Sequence, residues 1–203
     1  DVYKRQYQLG IVFPLEMLER LFPKADLNLL AQCVNAALGV AGAGVLAALA
    51  QELLDRRAAS ATLLLYIASL PTLLFAQFVY NINLMILLGA GAMLCFARYA
   101  RTGRVGFGFA YAALAGLATV AKPNAEIVLL ALLICALLHG WANRDMKIVL
   151  LAALSFAIGK GAFAAVAAWY GKQGGVDFRA NVSMLARLAM GMQESPIAAG
   201  WYN

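Results

Sequence analysis

Charged side chains are scarce in this sequence. Asp, Glu, Lys and Arg make up 13% of its 203 residues, against about 25% in a soluble globular domain. Histidine is rarer still. His139 is the only one, beside Trp141 at the end of an apolar run. That excludes a His-centred metal site or catalytic triad and reads as an interfacial residue. Cysteine occurs at Cys33, Cys95 and Cys135, each inside an apolar run, with no CxxC spacing and no histidine neighbour. These are expected to be buried small hydrophobes, not metal ligands or disulfide partners. There is no Walker signature, internal repeat or low-complexity linker. The glycine clusters GVAGAG at 39–44 and GAGAM at 89–93 lie inside apolar runs. A phosphate-cradling loop needs a strand before it and a helix start after it, so close packing of helices through small residues is the expected role.

What is present is apolar length. Hydrophobic residues make up 64% of the chain, and the mean hydropathy is +0.77. A bilayer core needs about 20 apolar helical residues. The sequence predicts an all-α, polytopic transmembrane bundle with spans near 28–50, 59–76, 82–97, 105–120, 125–141 and 148–170. The net charge of +6 sits in short clusters between these runs, not in a nucleic-acid patch. QELLDRR at 51–57, RYARTGR at 98–104 and ANRDMK at 142–147 carry seven basic residues: Arg56, Arg57, Arg98, Arg101, Arg104, Arg144 and Lys147. The intervening loops near 77–83 and 121–124 hold only Lys122. The positive-inside rule puts the three basic loops in the cytoplasm. It leaves 1–27, 77–83, 121–124 and an outer loop at 171–203 on the other side.

The opening DVYKRQ does not read as a signal peptide, because no apolar h-region with a small-residue cleavage site follows. It resembles the in-frame translation of a transposase sequencing adapter. Residues 1–6 are therefore expected to be foreign, Tyr7 to be the first natural residue, and 7–203 to be an internal fragment. Segment 7–22 is too short to span and contains Pro14. Its apolar Leu9, Val12, Phe13, Leu15, Leu18, Leu21 and Phe22 alternate with Gln8, Glu16, Glu19 and Arg20, as in an interfacial amphipathic helix.

Three outward stretches carry polar residues. QFVYNINLM at 77–85 clusters Gln77, Tyr80, Asn81 and Asn83. AKPNAEI at 121–127 sets Lys122 ahead of Pro123, with Asn124 as an expected N-cap and Glu126 in the first turn, where the helix dipole favours an acid. A lone cation there fits an anion such as a lipid phosphate. The tail combines Arg179, Arg187, Gln193, Glu194, Trp201, Tyr202 and Asn203, which suits carbohydrate contact or an interfacial belt. Lys160, in AIGKGAF near the middle of the last span, needs a partner at membrane depth. Glu126 or a bound anion could serve, or the flanking glycines could break the helix and bring it nearer a surface.

The order of YQLGIVFPLEMLERLF, NLLAQCVNAALGV, FAQFVYNINLMILL, RYARTGR and GLATVAKPNAEIVLLALLICALL resembles the membrane glycosyltransferases of the C-type fold. These include protein O-mannosyltransferases and the aminoarabinose transferases of lipid A. GLATVAKPN is the most specific stretch, and MGMQESPIAAGWYN is similar to an outer-loop motif of bacterial relatives. The resemblance implies transfer of a sugar from a polyprenyl-phosphate donor to a cell-envelope acceptor, on the outer face of a bacterial inner membrane. It implies a general-base aspartate in the first outer loop, before Tyr7, often near a divalent metal. Many relatives carry an acid where this chain has Asn81 and Asn83, so no catalytic residue transfers. The substrate-binding candidates are Tyr7, Gln8, Asn81, Asn83, Lys122, Asn124, Trp201 and Tyr202. Other readings stay open: a transporter, flippase or polymerase of envelope glycans using Lys160 and Glu126 as intramembrane charges, or a membrane scaffold without chemistry.

Overall fold

A computed structural model describes residues 9–78 and 80–174. Every regular element among them is helical: α1 (Leu9–Leu21), α2 (Leu27–Leu53), α3 (Arg56–Ala68), α4 (Leu70–Gln77), α5 (Ile82–Thr102), α6 (Val105–Ala121), α7 (Glu126–Asn143) and α8 (Met146–Gly174), with a 3₁₀ turn at Pro123–Ala125. Among the described residues four helices are long and apolar enough to cross a membrane: Leu27–Leu53, Ile82–Thr102, Pro123–Asn143 and Met146–Lys172. This marks a membrane protein. Val105–Ala121 is apolar but shorter.

The expected span 59–76 is not one helix. It divides at Ser69 into α3 and α4. Pro71 is the physical reason. It has no N–H to donate, and its ring collides with the carbonyl four residues back, but it is well suited to a helix's first turn. Other spans run longer than their apolar cores. Asp26 caps α2 by accepting from Asn28 N at 2.9 Å and Leu29 N at 3.2 Å. Helix α5 runs on through Arg98 and Arg101, and stops where Gly103 takes φ 65° and its N–H reaches Tyr99 O at 2.8 Å. Most of RYARTGR is therefore helix, not loop. Helix α8 is continuous past Lys160 to Gly174, so the flanking glycines do not break it.

Helices α2, α5, α6 and α8 pack in that order, with α3 against α2 and α7 against α8. Small residues line these seams, as the glycine clusters foreshadowed. Gly39 faces Asn83, and Gly42 faces Ile86 and Leu87. The α6–α8 seam is tightest. A Cβ on Gly116 would meet Ser155 O at 2.7 Å, and one on Gly159 would meet Thr119 Oγ1 at 2.5 Å. Ala92, Tyr111, Ala112, Ala136, Ile148 and Ala152 form the core beneath, where Tyr111 stands edge-on to Phe96 with ring centroids 5.4 Å apart. Outward faces carry exposed Val40, Leu64, Ile127 and Leu150, as in a bundle that meets lipid. Cys33 and Cys135 lie on such faces and Cys95 is half-buried; all three are free thiols. The expected burial of the first two is corrected, because a thin bundle leaves one side of each helix uncovered and an apolar thiol costs nothing in lipid.

The basic loops meet at one end. Glu52 pairs with Arg98 at 3.3 Å and with Arg101 at 2.6 Å. Tyr99 Oη donates to Asp145 Oδ2 at 3.2 Å, and the Arg98 guanidinium lies 5.7 Å from the Phe107 ring centroid. Lys122 lies at the opposite end of α6. Cysteine labelling from outside the cell, in a background lacking the three native cysteines, should modify a residue-122 cysteine and spare a residue-101 cysteine. The reverse pattern would invert the orientation taken from the loop charges.

Candidate functional site

At the end opposite the basic loops, α4 stops at Gln77 and leaves carbonyls without helical partners. Side chains of α2 meet them. Gln32 Nε2 donates to Gln77 O at 3.3 Å, and Asn35 Nδ2 to Phe78 O at 3.0 Å. Asn83 Nδ2 donates to both Asn35 O and Asn35 Oδ1 at 3.1 Å, within a contact that leaves Asn83 3% exposed. Asn81 Nδ2 donates across to Ala121 O at 2.9 Å, in the last turn of α6. Each amide here replaces a hydrogen bond that hydrocarbon would otherwise deny.

The same loop holds Tyr80, whose half-exposed ring lies 4.4 Å from Lys122 Nζ. The backbone of Lys122 closes α6 through its N–H on Ala118 O at 3.0 Å. The two outward loops singled out in the sequence, 77–83 and 121–124, thus come together. Asn124 does not act as the expected N-cap. A 3₁₀ turn intervenes, and the N-cap position of α7 falls on Ala125, with no side-chain cap bond. The Asn124 side chain is exposed. Tyr7, Gln8, Arg179, Arg187, Gln193, Glu194, Trp201, Tyr202 and Asn203 lie outside the described residues.

Next to Tyr80 and Asn81 runs a small, open groove between α1 and α2. Ile11, Pro14, Leu15 and Leu18 of α1 form one wall. Their spacing of three, one and three places them on a single helical face. Ala31, Val34 and Leu38 of α2 form another, with Asn35 among them. Among the described residues no Asp, Glu or His lines it, and no three His, Cys, Asp or Glu side chains gather to hold a metal ion. A divalent cation wants several hard oxygen ligands, usually carboxylate. The described walls of the groove do not fit one.

Lys160 has found Glu126, Nζ to Oε1 at 3.4 Å, with side chains 78% and 59% exposed. Because Glu126 opens α7, the pair lies near that helix's start, not at mid-depth, and it lies on the exposed surface. An exposed pair contributes little to stability.

Two sets of residues escaped the sequence reading. Gln32 and Asn35 were absorbed into an apolar span, although Asn28, Gln32 and Asn35, spaced by four and three, mark one polar helix face. The second set ties α1 to the far end of α8. Glu16 Oε2 accepts a hydrogen bond from Tyr170 Oη, and Glu16 Oε1 pairs with Arg20 at 2.5 Å. The Arg20 guanidinium lies 5.9 Å from the Trp169 ring centroid. Tyr170's hydrogen bond, followed by Arg20's, holds the Glu16 carboxyl below its ordinary pKa of 4.5. A depressed carboxylate contributes when ionised and loses its contribution as pH falls through the folded value. The attachment of α1 should therefore be flat between about pH 5 and 8, and weaken only under the ordinary carboxylate range; a spin-label distance from α1 to α7 measures it. The Glu16–Tyr170 contact could not be found from local spacing, since the two are 154 positions apart.

Comparison of the chain with protein-family models, with curated proteins and with solved structures finds no match.

Proposed function

We propose that this chain is part of an integral membrane glycosyltransferase of the C-type fold. It takes a polyprenyl-phosphate-linked sugar on the outer face of a bacterial inner membrane and serves a cell-envelope acceptor. One observation carries the reading most: an ammonium group held against a tyrosine ring beside an apolar groove, at the end away from the basic loops. A lipid-linked phosphate needs those two things side by side. Lys122 supplies positive charge for the donor phosphate, where negative charge builds as the glycosidic bond breaks. Asn81 and the buried Asn83–Asn35 pair hold the loop that carries Tyr80, and Asn124 is exposed two residues beyond Lys122. Helix α1 lies along the outer interface. The general base and the contacts assigned to Tyr7, Gln8, Trp201 and Tyr202 belong to segments outside the described residues.

Binding of a polyprenyl phosphate to the purified chain in detergent, counted by native mass spectrometry, tests the reading. A one-to-one adduct that survives competition by neutral polyprenol supports it. Equal retention of polyprenol and its phosphate would remove the anion site. Tyr80→Leu should weaken phosphate binding about two- to fivefold, the size of a cation–π contact at an exposed site, while Tyr80→Phe should stay close to the parent.

A further inference from the structure

Helix α1 is attached to the bundle differently from every helix it touches. Only Leu9 and Gly10 of its 13 residues are buried. Gly10 lies so close to Val120 O and Ala121 O that a Cβ there would collide with both, the second at 2.8 Å. Beyond that peg its apolar face borders the groove instead of packing into a seam. Pro14 sits inside the helix and removes one rung of its hydrogen-bond ladder. At the other end the turn 22–26 leads into α2, which Asp26 caps without help from α1. The bonds that cap the start of α2 therefore involve no residue of α1. What crosses from α1 to the last helix is polar: Glu16 to Tyr170, braced by Arg20 over Trp169.

We propose that α1 is a strap over the groove, hinged at 22–26 and latched by the Glu16–Tyr170 contact, and that release of the latch opens the groove sideways to the bilayer. The geometry divides the labour. The wall of the groove is apolar and yields to any apolar surface, so it does not by itself hold α1 in one place. The latch is directional, and it joins α8 to a helix that, among the described residues, contributes nothing to the buried cluster α8 shares with α5, α6 and α7. Breaking it should loosen α1 beyond the Gly10 peg, over residues 11–21, while leaving the α2–α5–α6–α8 seams intact. The inference stands on these contacts alone and does not depend on what enters the groove.

The experiment uses the whole chain in lipid nanodiscs, with its three cysteines replaced and nitroxides at Val12 and Ile127, both exposed. The parent should give one narrow distance distribution. Glu16→Gln combined with Tyr170→Phe should broaden it or add a longer component. Glu19→Gln, which changes a neighbouring exposed carboxylate outside the latch, should leave it as it was. Hydrogen exchange supplies the second reading. Amides of residues 11–21 should exchange roughly three- to tenfold faster in the double variant, as expected for losing one partly exposed charge-assisted bond. Amides of 30–40 in α2 should keep the parent rate. If distances and exchange match the parent in the double variant, α1 is held by apolar contact and there is no latch. If α2 exchange rises as much as α1 exchange, the contact is a general prop of the fold and the strap is equally refuted.

Discussion

Under the proposed transferase function, replacing Lys122 by alanine should lower turnover at limiting donor on the order of 10- to 150-fold, the equivalent of a hydrogen bond to a charged group at about 1.5–3 kcal/mol. The expectation comes from geometry as well as from loop charge. Lys122 Nζ lies 4.4 Å from the Tyr80 ring centroid, and that ring borders the groove. A ring face satisfies an ammonium only partly and leaves N–H donors for a phosphate oxygen. Arginine at 122 should recover part of the loss, since it restores the charge but presents a planar fork where a compact cation stood. Protein level and membrane insertion should not change, because the backbone of Lys122, not its side chain, closes α6. Full turnover in the alanine variant, measured against donor concentration, would reduce Lys122 to an interfacial anchor.

The second large effect is on stability. Gly116→Val should destabilise the bundle by about 1–3 kcal/mol, the usual cost of forcing atoms into a filled seam. A Cβ at Gly116 falls 2.7 Å from Ser155 O and 2.8–2.9 Å from Ile158 side-chain atoms. The first of these is backbone, so no rotamer change relieves it, and α6 must lift away from α8. Gly44→Val is the matched control. It lies in α2, where a Cβ would meet nothing within 4 Å, and it should shift stability far less. Midpoints of unfolding in SDS titrations compare the two. Equal midpoints would mean that the α6–α8 seam yields without cost and that the small residues there are incidental.

Much of the architecture was legible without coordinates, and much of the candidate site was not. Apolar run length alone placed six spans, and four of them, near 28–50, 82–97, 125–141 and 148–170, fall on helices long and apolar enough to cross a membrane, because a backbone in hydrocarbon must satisfy its own hydrogen bonds and helices do so locally. Charge alone pairs the three basic loops at one end, and spacing alone marks 77–83 and 121–124 as polar in the other direction. Local sequence also held the break at Ser69, since Pro71 was visible, but continuous hydropathy across 59–76 outweighed it in the reading. The 3₁₀ turn that displaces Asn124 from its expected cap was decided at a boundary, where assignment from sequence is weakest. The rest is decided by tertiary structure, for a plain reason: each contact joins residues far apart along the chain. Asn83 reaches Asn35 across 48 positions, Asn81 reaches the Ala121 carbonyl across 40, and Glu16 meets Tyr170 across 154. Composition and periodicity report which face of a helix is apolar; they do not report which neighbour it meets. The sequence by itself determined a helical membrane protein with one basic end. Only packing decided that Lys122 lies over Tyr80, that buried amides serve stranded carbonyls, and that α1 is tied to α8, because those outcomes depend on helix order and rotation in three dimensions.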